Sequence, residues 1–288
     1  MFFMKRISDF LQMLPLWLLI GISKGLPFKL RVKIGAAWFG LIIALSKKLR
    51  RRLKENLQIA LPKLAGYKRR KFVKKFTTQA GMTFTELIFN ADFHMQSKNF
   101  EYKSSELEPL LLAARNKRPI IIVSAHFGPW EAIRAVLKLN NLTSGAIYKK
   151  NKNQFYESLH LEAIKAGGEP IFPIGFHGTK EMIKYLKSGG IISVLLDQAA
   201  EDGEYFDFMG SPAKTSTSMA KLAIKLNALL VPAYATRKDK DYEIKVSFEK
   251  PIEITNYHSM TARINNSIVS RILDNPTQWY WLHRRWKY

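Results

Sequence analysis

From residue 119 onward the hydrophobic pattern alternates between two kinds of segment. Short apolar runs read PIIIVSA (119–125), SGAIY (144–148), EPIF (169–172), GIISVLL (190–196) and LLVPAYA (229–235). Helix-like stretches near 131–140, 152–167, 178–188 and 215–227 separate them. Short apolar runs bounded by turn residues read as buried strands. Their alternation with helices predicts an α/β fold, a mostly parallel sheet with helices on both faces. DYEIKVSFEKPIEI, starting at residue 241, predicts a further strand near the sheet edge. Ligands in such sheets bind beyond the carboxyl ends of the strands, so residues just after each run are the first to inspect.

Upstream, the pattern is helical. SKKLRRRLKENLQIALPKL (46–64) places Leu49, Leu53, Leu57 and Leu61 at spacing four, with Lys48, Arg51, Arg52 and Lys54 on the other face and Pro62 as a stop. That basic face suits acidic headgroups, and equally a solvated surface. Residues 68–92 and 105–117 predict two more helices. Before them, FLQMLPLWLLIGI (10–22) and IGAAWFGLIIALS (34–46) are thirteen residues each without a charge, flanking the basic stretch from Lys24 to Lys33. Neither reaches the ~20 apolar residues of a straight bilayer-crossing helix, and Pro15 predicts a kink in the first. No small-residue cleavage site follows, so a cleaved secretion signal is not expected. Three readings stay open: a marginal anchor extended by its flanks, helices lying in the interface, and ordinary core helices. Trp17, Trp38 and the neighbouring lysines suit the interface. The expected division is a membrane-associated or membrane-spanning region over 1–47 and an α/β domain over 48–288. Neither an internal repeat nor a long low-complexity linker interrupts it.

Composition sharpens this picture at two points. The 288 residues contain no cysteine, which excludes disulfides and thiolate metal sites. Lys and Arg number 46 against 23 Asp and Glu, a formal net charge of +23. Such a field favours anionic partners: nucleic acid, acidic lipid or phosphorylated metabolites. No zinc-finger spacing, RNP-like string or helix-turn-helix signature is present, so nucleic acid is not expected. Part of the excess also fits lysine as a solubilising residue.

The candidate chemistry sits in SAHFGPWEA (124–132). The buried strand delivers His126 to its carboxyl end. Gly128 and Pro129 punctuate a turn, and Glu131 falls in the first turn of the next helix. Strand, turn and helix can bring the two side chains together. A neutral imidazole takes a proton from a hydroxyl near pH 7. It does so well when a carboxylate fixes its tautomer and ring angle. No protein nucleophile is required if the substrate brings the hydroxyl. The spacing admits a metal site in principle, but no further ligand and no HExxH string is evident. His94, His160, His177, His258 and His283 are scattered and read as structural or solvent-facing.

His126-x4-Glu131 resembles the HX4D/E motif of the lysophospholipid and glycerolipid acyltransferase superfamily. ENLQIALP (55–62), LLDQ (195–198), FMGSPAKTST (208–217) and WYWLHRRWK (279–287) together resemble the bacterial late acyltransferases of lipid A biosynthesis, in order and over most of the chain. The resemblance implies a glycerolipid acyltransferase-like fold and makes 48–288 the acyltransferase domain. It implies His126 as general base toward a hydroxyl of a phosphorylated lipid A precursor, and Glu131 as the residue that orients it. It implies acyl carrier protein as donor, no metal or organic cofactor, and an inner-membrane enzyme facing the cytoplasm. An acyltransferase of the same fold with a lysophospholipid or glycolipid acceptor is the alternative. Asp197 falls at the family's Asp-Gln position and is expected to face the site, or else to cap a helix. The turn Gly210–Ala213 with Thr215–Ser218 is expected to form a site loop or a helix cap. Two departures concern acceptor binding. Where relatives carry Tyr-Arg, this chain has Tyr148-Lys149-Lys150, and the helix before Gly167 offers Lys165 in place of an arginine. Lysine keeps the charge and loses the bidentate fork. The aromatic and cationic tail, with Trp279, Trp281, Arg284, Arg285 and Trp286, is expected at headgroup level, near the acceptor phosphates, or packed on the sheet.

Overall fold

The computed structural model describes residues 2–238 and 242–287; residues 1, 239–241 and 288 lie outside it, Asp241 of the last expected strand among them. Helices α1 (Phe2–Ser23), α2 (Phe28–Leu45), α3 (Lys47–Ala60), α4 (Gly66–Ile88), α5 (Asn90–Met95) and α6 (Ser104–Arg115) come first. Strand and helix then alternate: β1 (Ile120–Ser124), α7 (Glu131–Leu139), β2 (Ser144–Tyr148), α8 (Gln154–Ala166), β3 (Ile171–Pro173), α9 (Phe176–Lys187), β4 (Ile191–Leu195). A hairpin of β5 (Glu204–Phe208) and β6 (Ser211–Thr215) follows, then α10 (Ser218–Leu226), β7 (Leu229–Arg237), β8 (Ile244–Phe248) and α11 (Tyr257–Asp274).

The main sheet has the order β3-β2-β4-β1-β7-β8. All its pairs are parallel except β7 with β8, so the last strand forms an antiparallel edge. This is the expected mixed α/β fold with a mostly parallel sheet flanked by helices. The centre of the sheet falls on β1, whose five residues are all buried. A strand covered on both faces needs no polar alternation, which is why IIIVS reads as an unbroken run. Ile121 and Val123 enter one core with Phe76, Ile264 and Ile268. Ile120 and Ile122 enter the other with Leu107, Leu110, Ile133 and Val136.

Helix α3 forms as its leucine spacing predicts. Leu53 and Leu57 are buried, Leu49 packs on the same core, and the Leu49 amide donates to Ser46 Oγ at 3.3 Å as an N-terminal cap. α11 was not anticipated. Its buried stripe, Met260, Ile264, Ile268 and Ile272, repeats every four residues within a largely polar stretch, so no continuous apolar run marks it. The hairpin corrects the expected turn at Gly210–Ala213, while Ser216 of the expected loop segment does line a cleft at the carboxyl edge of the sheet. Met209 and Gly210 both take positive φ, 57° and 79°, and make the tight connection, while residues 211–213 are already strand β6. Met-Gly is a weak hairpin signal beside Asn-Gly, so the pattern did not disclose it. Thr215 does not cap α10: its hydroxyl accepts from Arg285 and Asn265, and the Ser218 amide donates to Ser216 Oγ instead.

At the amino terminus α1 runs through Pro15. α2 lies against α4, with Gly35 facing Thr85 and Gly81 facing Ala36; a Cβ on Gly81 would stand 2.7 Å from the Ala36 Cα. Among the described residues no helix is long and apolar enough to cross a membrane. α4 is tied to the sheet by a buried ion pair between Arg237 Nη2 and Glu86 at 2.6 Å, to which Tyr242 adds a hydroxyl donor at 2.5 Å.

Candidate active site

The register of β1 against β4 builds the centre of the site. Ser124 pairs with Leu195, and the Leu196 amide donates to the Ser124 carbonyl at 2.9 Å. Two residues further along each strand stand His126 and Asp197, now neighbours at the carboxyl edge of the sheet. His126 Nδ1 donates to Asp197 Oδ1 at 2.8 Å. Asp197 is fully buried, and its other oxygen accepts from Trp279 Nε1 at 2.7 Å. Burial alone would raise this carboxyl. The charge and hydrogen bond of His126, with help from Trp279, hold it well below the usual aspartate range. An ionised Asp197 on Nδ1 leaves the lone pair of the neutral ring on Nε2.

Three further features fix the imidazole. The Tyr280 amide donates to the His126 carbonyl and the Gly128 amide to the Gln278 carbonyl, both at 2.9 Å, so the chain after α11 runs alongside residues 126–128. Gly128 has φ 54°, and a Cβ there would meet the Ala235 carbonyl oxygen at 2.2 Å. That turn therefore requires glycine. The His283 ring stands 4.3 Å from the His126 ring, and the Gln198 amide lies between them, 3.4 Å from His126 Nε2 and 3.2 Å from His283 Nε2. Burial first, and then the proximity of His126, lowers His283 to about 3, so it is uncharged at neutral pH. His126 lines a cleft of about 470 Å³ whose walls include the apolar Leu87, Trp130, Ile147 and Ile164.

Glu131 does not hold His126, which corrects the expected pairing. Its carboxylate lies in the same cleft wall but turns to other partners. Arg134 Nη1 donates to Oε2 at 3.2 Å, Asn90 Nδ2 donates at 3.2 Å, and His94 Nε2 stands 3.5 Å away. Burial would raise Glu131; Arg134 foremost, with His94 and Asn90, lowers it to about 2. Arg134 also donates to the carbonyls of Ile164 and Gly168, at 3.0 and 2.7 Å, tying α7 to the end of α8. A side chain at Gly167 would collide with this pair, 2.5 Å from Arg134 Nη1 and 2.6 Å from Glu131 Oε2. The physical reason is direction. Glu131 opens α7 and points toward α8, whereas the neighbouring strand β4 already presents Asp197 to the ring.

The remaining expectations divide. Lys149 lines the cleft and Lys150 is exposed beside it at the end of β2. Lys165 turns outward to Glu169 at 3.5 Å. His160 lines the cleft and His283 touches His126, so neither is a bystander; His177 and His258 are exposed as expected. The tail packs inward at Trp279, Trp281 and Arg285, all fully buried, with Arg285 Nη2 donating to Thr215 Oγ1 at 2.6 Å. Arg284 alone of the tail's two arginines stays at the surface. Missed by sequence reading were Trp279 as the second support of Asp197, and Arg134 and Asn90 as the partners of Glu131. Arg134, three residues after Glu131 on one helix face, was the legible signal. Among the described residues no three His, Asp or Glu side chains converge on a metal-binding arrangement.

Comparisons with known proteins give the family. The family model for bacterial lipid A biosynthesis acyltransferase matches residues 4–288. A lipid A biosynthesis lauroyltransferase of Escherichia coli is 25% identical over 284 residues, covering 94% of this chain and 89% of that protein. A lipid A biosynthesis acyltransferase of Haemophilus influenzae is 22% identical over 266 residues, 89% of this chain and 81% of that protein. A lipid A biosynthesis palmitoleoyltransferase of Escherichia coli is 22% identical over 240 residues, 81% and 77%. With the match running the length of the chain, the protein belongs to the bacterial lipid A biosynthesis acyltransferase family and is an enzyme of acyl transfer in lipid A biosynthesis.

Proposed function

We propose that this enzyme moves a fatty acyl chain from the thioester of acyl carrier protein to a hydroxyl of a phosphorylated lipid A precursor, with His126 as general base and Asp197 as its orienting partner. The observation that carries this reading is the 2.8 Å hydrogen bond of His126 Nδ1 to Asp197 on a histidine that lines a largely apolar cleft. The Nε2 lone pair takes the proton of the acceptor hydroxyl as its oxygen attacks the thioester carbonyl carbon. The tetrahedral intermediate collapses with cleavage of the C–S bond, and the imidazolium returns its proton to the departing thiolate. Asp197 steadies the imidazolium between these steps. Glu131, with Arg134 and Asn90, acts as a positioning residue that holds α7 and the turn after His126. Lys149 and Lys150, at the cleft and beside it, supply positive charge for the acceptor's phosphates.

The same reading places the enzyme on the cytoplasmic face of the inner membrane. Met4, Ile7, Leu11, Leu14, Leu18 and Ile22 recur at three- and four-residue spacing along α1 and are all exposed, which suits a helix lying in the interface. The excess of cations also favours an acidic carrier protein as donor. The test is transfer of a labelled acyl group from acyl carrier protein to a tetra-acylated lipid A precursor by wild type and His126→Ala. Transfer by the wild type alone is expected. Equal transfer by both overturns the assignment of the base. Transfer only to a lysophospholipid or glycolipid replaces the acceptor.

A further inference from the structure

A second concave site lies on the far side of the chain segment that carries His283. The outer face of α3 and the tail enclose a groove of about 250 Å³. Lys48, Arg51, Arg52, Arg284 and Lys287 line it, against Glu55 as the one lining carboxylate among the described residues. Glu55 stands 3.5 Å from Arg51 with both side chains largely exposed, so the pair neutralises little. The floor is rigid. Asn56 is buried, and its Nδ2 donates to the carbonyls of Trp281 and His283, at 2.6 and 2.7 Å. Arg52 Nη1 donates to the Leu282 carbonyl at 3.3 Å. Three arginines on a fixed base match the oxygens of a phosphoryl group, for which the guanidinium fork is suited. The volume suits a headgroup, whereas the catalytic cleft is larger and apolar.

The surroundings indicate where the phosphate comes from. Leu41, Ile42 and Leu45, at the end of α2, are 50%, 42% and 74% exposed. Leu45 lies three residues before Lys48, no more than ~11 Å of chain. Apolar side chains open to the surface and joined directly to a cationic groove reproduce the layering of a bilayer interface, acyl chains below phosphates. A soluble acidic partner would find the cations but has no use for the leucines.

We propose that the groove between α3 and the tail binds the phosphate of a bilayer lipid, separately from the catalytic cleft, and so holds His126 one peptide segment from the headgroup layer. The site does not depend on the acyl-transfer reading, because its primary readout, vesicle binding, is measured without turnover; only the KM comparison rests on that reading.

The full-length protein is tested for binding to phosphatidylcholine vesicles with and without phosphatidic acid. Arg51→Gln with Arg284→Gln empties the groove of two exposed cations. Lys225→Gln with Lys250→Gln removes the same charge from exposed positions elsewhere. The first pair is expected to weaken binding to the phosphatidic acid vesicles about thirty-fold, the share of two cations at a charged surface. The second is expected to change it less than about three-fold. Equal losses in the two variants, or wild-type binding by the groove variant, overturn the site. Undiminished vesicle binding with a raised KM for the lipid A precursor transfers the phosphate to the acceptor and overturns the bilayer assignment. Undiminished vesicle binding with lost affinity for acyl carrier protein makes the groove a protein dock and overturns it as well. Thermal melts of both variants are expected to match the wild type, since none of the four side chains is buried.

Discussion

Replacing Asp197 by Asn tests the site at its most specific contact. The two side chains are nearly isosteric, and the Asn carbonyl oxygen can still accept from Trp279. The amide N–H₂ then faces His126 Nδ1, where the carboxylate accepted at 2.8 Å. The ring must present a lone pair on Nδ1 and carry its proton on Nε2, the atom that has to receive the acceptor's proton. A second loss is electrostatic. Opposite charges centred ~4 Å apart at an effective dielectric of ~20 attract by about 4 kcal/mol. That attraction stabilises the imidazolium and is worth about a thousand-fold in rate. With the tautomer also reversed, kcat is expected to fall by ~10³ to ~10⁴, the range seen when a buried Asp behind a catalytic His loses its charge. The assay is single-turnover transfer from labelled acyl carrier protein, beside a thermal melt. Asp197→Asn within about ten-fold of wild type, roughly 1.4 kcal/mol, would refute the reasoning. If Glu131→Gln then showed the large loss with unchanged melting, Glu131 would be the partner after all.

Glu131→Gln is expected to lower stability and transfer together, because it leaves the buried Arg134 without its carboxylate, at about 3 kcal/mol; a denaturant titration and a transfer assay on the same preparation read both. Arg237→Met leaves Glu86, buried on α4, without its countercharge and with only the Tyr242 hydroxyl as donor among the described residues, and is expected to cost ~3–5 kcal/mol in the same titration; a loss under ~1 kcal/mol would show that the pair is dispensable. Acidification should destabilise the fold in two stages. His283 is lowered from 6.5 to about 3, so below pH 6.5 the unfolded chain binds a proton that the native one refuses. Stability then falls with pH at up to ~1.4 kcal/mol per unit. Below 4.5, Glu131, lowered to about 2, adds its own loss in the same direction. A denaturation midpoint that stays flat between pH 6.5 and 4.5 contradicts the burial of His283, and His283→Gln is expected to remove the first stage.

The sequence by itself determined the elements that depend on local pattern. The apolar runs became β1, β2, β3, β4 and β7 because strands of a helix-covered parallel sheet carry few charged residues, β1 being buried throughout. The leucine stripe of α3 and the turn at Gly128 were legible for the same reason, since period and backbone freedom are properties of neighbours along the chain. His126 followed from its place just beyond a central strand. Its partner did not, because Glu131 is near in sequence while Asp197 is 71 residues away and comes close only through the β1–β4 register. The MGS connection of β5 and β6, the polar helix α11 and the inward packing of Trp279 and Arg285 were hidden likewise. Each depends on what the chain meets in space. Tertiary structure also chose between readings that composition left open. It placed Arg284 at the surface beside Arg51 and Arg52 and sent the adjacent Arg285 into the core. A charge in a sequence carries no address; packing supplies it.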